Sequence, residues 1–119
     1  MADEQPRPVD TTNLVDTAEG DREFIRELIG IFIEDTVAQL AAIRDLLPGG
    51  PGKELARRAH SIKGSSANMG AEAMQSVAHA LELAGKGQGP GDLAELTDRL
   101  EREFDLAKAF LLEWIEGGI

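Results

Sequence analysis

Cysteine and tyrosine are absent from the 119 residues of this chain. Without thiols there is no disulfide framework, no thiolate metal site and no cysteine nucleophile. Such a composition fits a reducing compartment. Aromatic residues are scarce too, four Phe and one Trp. Any core must therefore be aliphatic and rich in alanine, which favours close-packed helices over a sheet. Basic charge is also in short supply. Twelve Lys and Arg stand against 22 Asp and Glu, for a net charge of −10. A chain this acidic is repelled by nucleic acid and by anionic membrane surfaces. No apolar run approaches the roughly 20 residues of a membrane helix, and MADEQPRPVD has no signal-peptide core. The expectation is one soluble, cytoplasmic domain that buries a core without disulfides or metal.

What is present is helical periodicity. Residues 1–8 hold two prolines and mixed charges, and read as a disordered tail. The domain is expected over 9–119, where Leu14 and Val15 can dock a short helical or extended segment. From about 21 to 47, Phe24, Leu28, Ile31, Phe32, Leu40, Ile43 and Leu47 recur at spacings of three and four. PGGPG at 48–52 ends that pattern. A second helix is expected over 53–69 on the stripe Leu55, Ala59, Ile62, Ser66 and Met69, with Gly70 as its C-cap. A third runs over 71–84 through Met74, Val77, Leu81 and Ala84, and 85–91 reads as a loop. Asp92, with Glu95 three residues on, opens the last helix, whose seam is Leu93, Leu96, Leu100, Phe104, Ala107, Leu111 and Trp114. Short connections imply antiparallel neighbours. The fold class is thus all-α, an antiparallel up-down four-helix bundle whose outer helices outrun the middle two.

One segment does not read as generic bundle. On a helical wheel with Leu55 at zero, Ala59, Ile62, Ser66 and Met69 lie within roughly 40° of it, and His60 lies near 140° on the solvent side. Gly64 follows His60 by one turn, at a mid-helix position where glycine costs about 1 kcal/mol against alanine. Ala56, Gly64 and Ala67 are all small, so the imidazole stands on bare backbone that a second protein can approach closely. Lys53, Arg57, Arg58 and Lys63 make the surroundings basic in an otherwise acidic chain. That combination points to an anion held near the imidazole. Transient phosphorylation fits: imidazole is nucleophilic near neutral pH, and a cation one turn away offsets phosphoryl charge. There is no Ser/His/Asp set, no phosphate-cradling glycine loop and no nucleotide pocket signature. The chain reads as a carrier, not an enzyme.

The string Ala59-His60-Ser61-Ile62-Lys63-Gly64-Ser65-Ser66-Ala67-Asn68-Met69-Gly70-Ala71 closely resembles the signature of histidine-containing phosphotransfer domains. The helical layout and the Leu81-Glu82 segment agree with that family over roughly residues 10–116. The resemblance implies that His60 accepts a phosphoryl group through Nε2 from a receiver-domain aspartate and passes it to another. It implies Lys63 as an electrostatic stabiliser and Gly64 as clearance for the receiver. Arg57, Lys53, Ala56 and Ala67 are docking candidates. The partners implied are response-regulator receivers and a hybrid histidine kinase. Mg²⁺ belongs to the receiver, so no cofactor and no metal is expected on this chain, and a monomer is expected.

Two other readings stay open on sequence grounds. The domain could be the phospho-accepting part of a histidine kinase of hybrid or chemotaxis type, labelled directly from ATP. It could also be a helical adaptor that binds receivers without carrying phosphate. His79 lacks a following Lys-Gly and points off the apolar stripe, so it reads as a surface histidine. Ser66 is expected to pack inward and bond to a carbonyl one turn back.

Overall fold

The computed structural model describes residues 8–117, which form five α-helices and no strand. The expected tail therefore lies, save for Pro8, outside the described residues. The elements are α1 (Thr12–Ala18), α2 (Arg22–Leu46), a 3-10 turn (Leu47–Gly49), α3 (Lys53–Met69), α4 (Glu72–Gly85) and α5 (Leu93–Gly117). At 25 residues each, α2 and α5 outrun α3 at 17 and α4 at 14.

Local chemistry sets the ends. The Asp21 carboxylate accepts from the Phe24 N–H and begins α2. Asp92 accepts from the Ala94 and Glu95 N–H groups and begins α5. Gly70 ends α3 at φ 79°, in the left-handed region, with the Gly70 and Ala71 N–H groups donating to Ala67 and Ser66. A further constraint acts on Gly70. A Cβ there would sit 2.1 Å from the Asp10 carbonyl oxygen, because the chain before α1 crosses at this point and Asp10 N–H donates to Gly70 O at 2.9 Å. Val9, just before the crossing, is fully buried.

Each long helix packs on two others, α3 on α2 and α4, and α5 on α4 and α2, while α1 lies against α2 and α3. Arg44 pairs with Asp98 and Glu101 while Arg26 pairs with Glu116, so α2 and α5 run in opposite directions. The core is aliphatic, with one aromatic pair, Phe32 edge-on to Phe104 at 6.0 Å.

The buried stripe of α2 differs from the sequence expectation in its first turns. Ile25 and Ile29 are buried, whereas Phe24 is 41% and Ile31 63% exposed. Two apolar stripes interleave here, and only Ile25, Ile29, Phe32 and Thr36 stay in phase with Leu40 and Ile43. At the far end of α5, Ile115 is buried and Trp114 only partly so. The helix α4 also runs one residue further than expected, so Gly85 is helical rather than loop.

Candidate functional site

The site lies along the seam between α3 and α4. Gly85 sets how close the two helices come: a Cβ there would lie 3.0 Å from the Leu55 side chain and 3.1 Å from the Ala56 backbone. This corrects the expected place of Ala56. It is 5% exposed and packed beneath the α4 backbone, not part of the open surface around His60.

Further along the seam, His60 projects from α3 with its side chain 64% exposed. Its Nδ1 lies 3.0 Å from Oε2 of Glu82, on α4. Glu82 is 6% exposed overall, a carboxylate at the edge of an apolar stripe. Lys63 Nζ lies 2.7 Å from Glu82 Oε1. Lys86 Nζ is 3.4 Å from Oε2, one turn along α4, and His79 Nδ1 is 4.0 Å from Oε1. Four basic side chains thus surround one buried carboxylate.

Two opposed effects set the charge of Glu82. Burial pushes its carboxyl pKa up, but contacts from Lys63, His60 and Lys86 outweigh burial and hold it down at about 2. Glu82 is therefore ionised at neutral pH and can only accept hydrogen bonds. In the neutral ring the proton of His60 therefore sits on Nδ1, donated to Glu82. The lone pair is then on Nε2, the other nitrogen of an exposed ring. An oriented, correctly tautomerised imidazole is what nucleophilic attack by Nε2 requires.

The remaining candidates separate into two groups. Gly64 is exposed, and a Cβ there would meet nothing within 4 Å, so no packing inside the molecule accounts for it. Ala67 is exposed on the same outer side. Arg57 does not join the cluster around His60. It forms a forked pair with Glu54 at 2.7 and 2.8 Å, and Arg58 shares that carboxylate at 2.8 Å while also donating to Gln39. Lys53, the first residue of α3, lines a shallow recess with Lys86. Ser66 packs inward and donates to Ile62 O, as its position on the stripe implies. Among the described residues no group of three or more acidic, His or Cys side chains could hold a metal ion.

Sequence reasoning noted the Leu81-Glu82 segment but gave Glu82 no role, and it missed Lys86. The available signal was a carboxylate flanked on α4 by Ala78 and Gly85, small residues that let another helix come close. His79 is a surface histidine as expected, its side chain 55% exposed, with Nδ1 4.0 Å from Glu82 Oε1.

Comparison with known proteins gives the family and the fold. The Hpt domain family model matches residues 27–110, and the chain belongs to that family of histidine phosphotransfer domains. The crystal structure of histidine-containing phosphotransfer protein B from Pseudomonas aeruginosa PAO1 shares the fold. Its TM-score is 0.84 at 23% identity, over 97% of this chain and 100% of that one. Comparison with curated protein sequences gives no match. No helix among the described residues is long and apolar enough to cross a membrane.

Proposed function

We propose that His60 carries a phosphoryl group between receiver-domain aspartates, on an antiparallel up-down four-helix bundle that contributes no nucleotide site of its own. The observation that carries this reading is the Nδ1–Glu82 hydrogen bond on an exposed ring. In the forward step the Nε2 lone pair forms a bond to phosphorus as the bond from phosphorus to the aspartyl oxygen breaks. The electron pair leaves on the receiver carboxylate. Nδ1 keeps its proton, and the ionised Glu82 stabilises the positive charge the ring acquires. The reverse step returns the phosphoryl group to another receiver. Lys63 stands one turn from His60, where its ammonium can meet phosphoryl oxygens. Gly64 and Ala67 leave room for the receiver, which brings its own Mg²⁺. Lys53 contributes general positive charge to docking, and Arg57 contributes less because Glu54 neutralises it. A hybrid histidine kinase upstream, a cytoplasmic location and a monomeric state complete the reading.

The test is phosphoryl uptake by the purified chain from a phosphorylated receiver with Mg²⁺, followed on a phosphate-affinity gel. Acid-labile label is expected on the native chain and none on a folded His60→Gln variant. Label that persists in His60→Gln overturns the assignment. Labelling that needs ATP and an isolated kinase catalytic domain would move the role to a kinase acceptor.

A further inference from the structure

The resting cluster holds one buried carboxylate, Glu82, and two ammonium groups within 3.4 Å of it, Lys63 and Lys86. It therefore carries one more fixed cation than its carboxylate needs, in a chain of net charge −10. Lys63 touches Oε1, while Lys86 reaches Oε2, the oxygen that also accepts from His60. A Glu–Lys pair at this spacing on one helix is commonplace on a solvated face. This one differs because its carboxylate is buried and bonded to an imidazole on a different helix.

On the reading of His60 as the carrier, phosphorylation brings about two negative charges onto Nε2. Lys63 is then drawn between the phosphoryl oxygens and Glu82. Without Lys86 as well, a carboxylate that is 6% exposed would face new negative charge with no ammonium beside it. We infer that Lys86 is a positioning residue that holds the Glu82 carboxylate in place, and so the His60 ring, while Lys63 turns to the phosphoryl group. Lys86 sits on α4 with its side chain 49% exposed, so it can stay at Oε2 without any movement of α3. The role acts through Glu82 and needs no contact between Lys86 and phosphate. The other basic group facing Glu82 is His79, at 4.0 Å, beyond hydrogen-bond reach.

The test measures the equilibrium partition of phosphate between a phosphorylated receiver and the full chain, rather than the transfer rate alone. A lysine that only helps docking changes forward and reverse rates together and leaves the partition unchanged. Lys86→Met is expected to shift the partition toward the receiver by roughly threefold to tenfold, the size of a partly solvated charge pair, and Lys86→Arg is expected to restore it. In a Glu82→Gln background the same Lys86→Met change is expected to have no effect on the partition. An unchanged partition in Lys86→Met, with His60 still labelled, overturns this inference and leaves the carrier reading intact. An equal shift with and without the Glu82 carboxylate overturns it as well, since Lys86 would then act on the phosphoryl group directly. Failure of the native chain to take up label at all overturns the carrier reading itself, and this inference with it.

Discussion

Two carboxylates in this molecule each gather several bases, and they do so in opposite ways. Glu54 holds Arg57 and Arg58 one turn along the same helix, with its side chain 43% exposed. Glu82 holds Lys63 and His60 from α3 and Lys86 from α4, with its side chain 7% exposed. In both, neighbouring cations hold the carboxyl pKa below its ordinary value. Only the buried one holds an imidazole. The Glu54 cluster is a local consequence of sequence spacing and is solvated. The Glu82 cluster exists because two helices meet, and it engages Nδ1 of His60 while leaving Nε2 out of the contact. Basic residues near a histidine in sequence are therefore a poor guide to what governs it. Half of the basic set around His60 is committed to Glu54.

The contrast is broken most directly at Glu82. Glu82→Ala leaves Lys63 unpaired at the seam and frees the imidazole to adopt either tautomer. Stability should fall by on the order of 2 kcal/mol in a denaturant titration. The single-turnover rate of phosphoryl transfer should fall about tenfold to a hundredfold, the range seen when the carboxylate behind a metal-ligating imidazole is removed.

A second attack leaves every charged group in place and moves the helices apart. Gly85→Val forces β-carbon bulk against the Ala56 backbone, where even a Cβ meets atoms at 3.1 Å. Stability should drop by about 1–3 kcal/mol from overpacking. The ring of His60 should also lose its single tautomer in nitrogen-resolved NMR. A variant that is destabilised yet keeps one tautomer would show that the seam tolerates wider spacing.

Acid sharpens the comparison further. The folded Glu82 carboxyl is held at about 2, below its ordinary value of 4.5, so its stabilising contribution is complete above the ordinary value. That contribution fades as pH falls toward the folded value. The stability difference between the native chain and Glu82→Gln should therefore shrink steadily between about pH 4.5 and pH 2. A constant difference across that window would mean that the charge of Glu82 is not what stabilises the seam. The smallest effect belongs to Glu54→Gln. Solvated pairs of this kind contribute little, so the denaturation midpoint and the rate of phosphoryl transfer should both stay at their native values.

Much of this site is legible in the sequence because His60, Lys63 and Gly64 sit within two turns of one helix. Periodicity alone tells which of them face outward, and the open space around Gly64 agrees. Glu82 is not legible in the same way, since its partners lie 19 and 22 residues away on another helix. The small residues Ala78 and Gly85 hint at a close helix but do not say which one. Gly85 shows the same limit. Beside a glycine-rich stretch it reads as loop, and only the packed α3 backbone reveals why a helix ends on it. The helices themselves were readable where one apolar stripe was continuous, as in α3. In the first turns of α2 two stripes compete, and the phase is decided by contacts distant in sequence. Ala56 escaped for a related reason, because a small residue suits an open surface and a close helix crossing equally well.

The crossing at Gly70 has a consequence for motion rather than for chemistry. The Asp10 N–H is bonded to the last turn of the helix that carries His60, and Val9 is buried beside it. Detaching α1 therefore breaks the Asp10 bond and exposes Val9, but breaks none of the contacts at Glu82. The molecule has a terminal segment whose opening is separate from that of a seam that opens only when α3 and α4 part. Hydrogen exchange at the Asp10 amide reports the first event, and the amide of Ile62, a fully buried residue of α3, reports the second.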